Sequence, residues 1–90
     1  MSNDIHWSYR VVVKDVAGEQ YSSIREVYFS NSGDIVSWSE PITPIGVSTE
    51  YPMKSIMELR DILEMMEKAF YEEHYSLVVL PDGEEYLEPV

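Results

Sequence analysis

The chain contains no cysteine, which excludes a disulfide framework, a thiolate nucleophile and any zinc site built on thiolates. Positive charge is scarce: six Lys and Arg stand against seventeen Asp and Glu, for a formal net charge of −11. Nucleic-acid binding rests on a basic footprint that displaces counterions from phosphate, so no direct nucleic-acid binding is expected. Only two histidines occur, His6 and His74. Histidine is the usual general base near neutral pH, and neither lies in a recognisable catalytic pattern. The glycines at 18, 33, 46 and 83 are isolated turn residues and make no phosphate-cradling loop. No stretch approaches the roughly 20 apolar residues a membrane span needs, and Met1-Ser2-Asn3-Asp4 carries no basic region or apolar run. A cytoplasmic protein is expected, with no membrane contact, cofactor or catalytic residue.

What remains is enough for one core, and residues 1–90 read as a single domain. Two tryptophans, seven tyrosines and two phenylalanines argue against disorder, because disordered chains are poor in aromatic residues. Residues 6–14 read as a strand with Trp7, Tyr9, Val11 and Val13 on one face at period two. Ala17-Gly18 suits a tight reversal. A second strand follows over 20–30, with Val27 and Phe29 on one face and Ile24 and Tyr28 on the other, which leaves its register open. The turn formers Asn31 to Asp34 lead into a third strand over 34–40, stopped by Pro41. A proline-rich connection then runs from Glu40 to Lys54. The helix is expected over 55–71, opened by a capping box of Ser55 and Glu58. Its apolar stripe is Ile56, Leu59, Leu63, Met66 and Phe70, widened by Ile62 and Ala69. Residues 75–80 read as a fourth strand or an extended edge segment, and the acidic tail from Glu84 onward as a fraying end. The expected fold is α+β: a three- or four-stranded antiparallel meander packed on one α-helix in the C-terminal half.

Several blocks carry a resemblance. Tyr9-Arg10-Val11-Val12, Ile24-Arg25-Glu26-Val27-Tyr28-Phe29, Trp38-Ser39-Glu40-Pro41 with Pro44 and Gly46, and the run from Leu59 to Met66 resemble small uncharacterised bacterial and phage-associated proteins. The blocks span roughly residues 7–70. The resemblance implies a strand-strand-strand-helix unit and no catalytic residue. Residues 49–54 and 75–90 depart from it, and a specialised role would sit there.

The charge is uneven. Residues 1–50 hold seven acids and three bases, and residues 51–90 ten acids and three bases, so the C-terminal part dominates the negative potential. The expected function is therefore a small acidic non-enzymatic protein-binding module, an inhibitor or adaptor, for a partner with a basic surface. Tyr21, Ile24 and Tyr28 are candidate anchors on the sheet face away from the helix. Met57 and Met65 fall off the helix stripe and suit an adaptable contact surface. Glu64, Glu67, Glu72 and Glu73 would form the carboxylate rim. One alternative is nucleic-acid mimicry against a nucleic-acid enzyme or defence complex, which requires those four acids with Glu84 and Glu85 to stand in rows. Another is an enzyme using a carboxylate pair assisted by His6 or His74, which requires a cleft beside one histidine. His74 after Glu72-Glu73 reads as a solvated helix end rather than a metal ligand. An exposed strand edge or sheet face would also permit a homodimer.

Overall fold

A two-residue reversal fixes the centre of the sheet. In a computed structural model that describes residues 5–47 and 49–90, β1 (His6–Val16) and β2 (Glu19–Phe29) pair antiparallel along their whole length, from Val16 opposite Glu19 to His6 opposite Phe29. Between them Ala17 (φ 53°) and Gly18 (φ 86°) are both left-handed, the geometry that matches the twist of the flanking strands. Asp15 Oδ1 accepts the Gly18 amide at 3.1 Å.

The next turn is closed by the Ser30 amide donating to the Asp34 carbonyl (2.9 Å) and the Gly33 amide donating to the Ser30 carbonyl (3.0 Å). It delivers β3 (Ile35–Trp38), antiparallel to β2, with an irregularity between Tyr28 and Phe29. Past β3 the Ser39 and Ile42 amides still reach the Glu26 and Ile24 carbonyls, so the chain follows β2 beyond Pro41 before turning to the helix.

The helix, α1 (Pro52–Glu67), continues into a 3-10 turn over Lys68–Tyr71. It opens three residues before the expected start. Pro52 occupies the first turn, where its missing amide proton costs nothing and its fixed φ is already helical, and Tyr51 caps without a side-chain bond. Ser55 lies inside that turn, its hydroxyl donating to the Pro52 carbonyl at 2.8 Å, so the capping box with Glu58 does not form.

Two strands follow. β4 (Tyr75–Val79) pairs parallel to β1, Val12 opposite Tyr75 and Lys14 opposite Leu77, and β5 (Glu85–Pro89) pairs antiparallel to β4. The sheet is thus five-stranded and mixed, in the order β3-β2-β1-β4-β5. The α+β class stands, but the purely antiparallel meander of three or four strands does not. The helical crossover returns the chain beside β1 in the same direction as β1, which is what a parallel pair requires. The expected fraying tail is the edge strand β5.

The two faces of the sheet are unequal in an unexpected way. Odd positions of β1 face the helix: Val11 is buried and Val13 half-buried, while Trp7 is 43 % exposed. The largest buried cluster, Val12, Val27, Phe29, Tyr75 and Leu77, lies on the opposite face, flanked by Ile35, Trp38 and Leu87. Side chains of the sheet itself roof it: the Arg10 guanidinium stands 5.0 Å over the Phe29 ring and 5.8 Å from that of Tyr75, a cation–π arrangement.

The helix touches β1 chiefly through its final turn and the 3-10 turn. Met66 and Ala69 are its buried residues and Leu59 and Ile62 are half-buried, whereas Ile56, Leu63 and Phe70 remain exposed. The buried edge is therefore rotated toward Ile62 and Ala69, because the small Ala69 lets the helix end approach β1 closely. The N-terminal half of the helix rests on the connecting segment instead. A Cβ built on Gly46 would lie 1.9 Å from the Ser55 carbonyl oxygen.

One layer and a loosely seated helix leave much surface. The accessible area is 6672 Å², against about 5400 Å² for a typical monomer of this mass. The Cα radius of gyration is 15.5 Å, against about 12 Å for a compact chain of this length.

Candidate interaction site

The exposed line of the helix opens on a groove. Ile56, Leu63 and Phe70 recur every seven residues, so they stack along one side of α1 and its 3-10 extension. They are 59 %, 48 % and 60 % exposed. Leu63 and Phe70 line the groove; across from these two the segment after β3 and the helix side of β2 supply Ile42, Pro44 and Ile24, and Met66 forms the floor. The groove has a volume of about 390 Å³. Glu67 lines it, and the exposed Glu64 lies three residues earlier on the same helix.

The other flank of the helix carries a second, aromatic patch. Trp7 meets Tyr9 edge to face at a centroid distance of 5.1 Å and lies 6.4 Å from Tyr28. Met65, Lys68 and Glu72 border Trp7 and Tyr9 around a hollow of about 240 Å³.

The sequence-derived candidates divide among these places. Ile24 and Glu67 meet at the groove, and Tyr28 and Met65 each border the Trp7 patch. Ile24 and Tyr28 thus face the helix, not away from it. Tyr21 alone of the three anchors lies on the helix-free face, 55 % exposed, because an odd position cannot share a strand face with two even ones. Met57 is exposed on the helix away from both patches. Glu72 and Glu73 follow the 3-10 turn, where Glu72 Oε2 lies 3.8 Å from Arg10. Sequence reading missed Ile42 and Pro44, which lie in a connection without periodicity.

His6 borders an open depression of about 560 Å³ together with Arg10, Glu72, Glu73 and Tyr75. His74 sits at the other histidine position with Nε2 3.3 Å from the Phe70 carbonyl oxygen. Of the described carboxylates all but Glu26 are exposed, so burial offers little means of separating a carboxylate pair into acid and base.

Three tyrosines hold their protons above the ordinary value of 10.0. The Glu19 and Glu26 carboxylates accept the phenol protons of Tyr21 and Tyr28, at 2.6 and 2.5 Å, and are the main cause there. Burial is the first cause for Tyr75, with Glu73 adding to it and Arg10 opposing. A proton bound more tightly in the folded chain stabilises it fully below the unfolded pKa, and that contribution fades as pH rises through the folded value. Stability is therefore expected to fall above pH 10.0. In a tyrosinate absorbance titration, Glu26→Gln should bring the Tyr28 transition down; an unmoved transition would contradict the assignment.

Comparison with protein-family models, with curated proteins and with solved structures returns no match. The geometry of the site carries the functional reading. Among the described residues no helix is long and apolar enough to cross a membrane.

Proposed function

We propose that this chain is a non-enzymatic docking module whose helix-flanking groove receives an apolar segment of a protein partner with a basic surface. The observation behind this reading is the pair of unburied residues Leu63 and Phe70 in a groove floored by Met66 and walled by Ile24, Ile42 and Pro44, with the exposed Ile56 seven residues earlier on the same side of the helix. A helix that leaves such a line open while its far side is seated has apolar area to bury elsewhere. The surplus surface fits that role, since a standard interface takes about 800 Å² from each partner.

Charge selects the occupant. Glu64 and Glu67 beside the groove, on a chain of net charge −11, attract a cationic partner and speed its approach. A second copy would bring another −11 to the same place, so self-association is disfavoured. The acids also favour docking over phosphate mimicry. Glu84 lies in the β4–β5 turn and Glu85 begins β5, whereas Glu72 and Glu73 precede β4; a strand of five residues, roughly 16 Å, lies between the two pairs.

The test uses a partner retained from cell extract, identified, and then titrated against variants. Leu63→Glu with Phe70→Glu alters two exposed side chains, so the fold, checked by circular dichroism, should persist. Each change is expected to weaken binding roughly thirtyfold, in line with about 2 kcal/mol for an interface anchor, and added salt should weaken it further. Retention indifferent to both substitutions, or a second copy of the chain as the sole occupant, would overturn the proposal.

A further inference from the structure

All the cations of the sheet stand on the face opposite the helix. Arg10 and Lys14 occupy even positions of β1, and Arg25 lies directly across from Arg10 on β2. The other bases, Lys54, Arg60 and Lys68, belong to the helical segments. Placing like charges opposite one another on a strand pair is destabilising, and doing so in so acidic a chain calls for a compensating role.

Arg10 has one within the fold. It roofs Phe29 and Tyr75, donates to Ser8 Oγ at 2.9 Å and meets Glu72 at 3.8 Å. Arg25 does not. It is only 7 % exposed, yet its Nε reaches Ser23 Oγ at 3.4 Å and its Nη1 the Ser39 carbonyl at 3.3 Å, both long for hydrogen bonds. Among the described residues no carboxylate comes within 4.0 Å of it, nor of the half-buried Lys14. A guanidinium has five N–H donors. No side-chain nitrogen among the described residues is fully buried without a partner, so the guanidinium keeps some accessible donor surface, and Arg25 lines the adjoining hollow.

That hollow, about 360 Å³, spans the face. Lys14 and Arg25 border it with Trp38 and Leu77, and Glu40 and Glu85 also line it. Glu40 follows β3 and Glu85 begins β5, so acids flank the two cations from both edge strands of the sheet.

We propose that this hollow binds a single carboxylate group, clamped by Arg25 and Lys14, with the apolar body of the ligand against Trp38 and Leu77. The planar fork of a guanidinium matches a carboxylate. The flanking Glu40 and Glu85 repel polyanions, which disfavours phosphate chains. The carboxylate arrives either on a peptide, as an acidic side chain or free C-terminus, or on a small organic acid. The site lies across the sheet from the groove and does not depend on it.

The test is an NMR titration of the full chain with N-acetylglycine, N-acetylglycinamide, a short peptide bearing a free C-terminal carboxylate, its C-terminal amide, and inorganic phosphate. Both carboxylates are expected to give saturable shifts at Arg25, Lys14 and the Trp38 indole, and the amides none. Tighter binding of the peptide assigns the source to peptides; equal affinity assigns it to small acids. Lys14→Gln should weaken binding about tenfold at unchanged stability, and Arg25→Lys should weaken it through loss of the fork. If Arg25→Lys does not fold, Lys14→Gln decides alone. The proposal is overturned by no saturable shift with either carboxylate, by amides or phosphate binding as tightly, or by Lys14→Gln binding as the parent does.

Discussion

Gly46→Ala is expected to push the N-terminal half of α1 off its support and to cost about 3 kcal/mol or more, the upper end of overpacking effects. The added methyl would meet the Ser55 carbonyl oxygen at 1.9 Å and the Leu59 amide nitrogen at 2.9 Å. Both obstacles are backbone, so no rotamer change relieves them and a whole helical turn must move. The other three glycines provide the contrast. Gly18, Gly33 and Gly83 have nothing within 4 Å of a built Cβ but hold φ of 86° to 89°, so alanine there costs only the left-handed penalty of about 1–2 kcal/mol. Urea unfolding should rank Gly46→Ala as the most damaging of the four, and hydrogen exchange should show the early helical amides losing protection first. A Gly46→Ala chain with parental stability would mean the helix does not rest on this segment.

Phe29→Ala should be comparably severe, at about 3–5 kcal/mol. A chain of this size has roughly 5–13 kcal/mol in total, so the variant would retain a fraction of its stability or unfold. Phe29 is 8 % exposed and belongs to the cluster on the helix-free face. Its ring also carries the Arg10 guanidinium at 5.0 Å and faces Tyr75 at 6.5 Å. Truncation leaves a void and removes one side of the surface on which Arg10 lies. Tyr21→Ala, at an exposed position of the same strand, should fall within about 0.5 kcal/mol of the parent. Equal effects for the two would show that the cluster opposite the helix is not the principal core.

Local signals in this sequence were legible because they are local. The turn formers at Ala17-Gly18 and Asn31 to Asp34 each mark a reversal, with Gly18 and Gly33 suited to the positive φ they adopt, and four strands and the helix appear near their expected places. The parallel seam between β1 and β4 joins segments far apart in sequence and has no short-range signature. Its only trace was the near-continuous apolar run of Leu77-Val78-Val79-Leu80, which suits a strand with neighbours on both sides. The tail misled because Glu85, Glu88 and Pro89 look like a solvated end, although charge and proline also suit an edge strand.

The site residues were legible to the extent that register was. Ile24 and Glu67 entered the groove, but the facing of Tyr21 against Ile24 and Tyr28 follows from strand parity alone. The pairing of Arg10 with Arg25 follows as directly from a two-residue reversal at Ala17-Gly18, counted back along both arms. What could not be read was the tilt of the helix, because Ile62 and Ala69 compete with Leu63 and Phe70 for the sheet, and close approach at Ala69 decides the outcome.

The parallel seam also dictates an order of assembly. Everything through Trp38 can zip together by neighbour-to-neighbour closure, which is fast, whereas β4 must wait until a long crossover has swung past. Until then β1 presents a bare ladder of amides and carbonyls along its outer flank, open to any passing strand. The interval before β4 arrives is when this chain is most exposed to misassembly, and conditions that slow the crossover should favour aggregates over monomer.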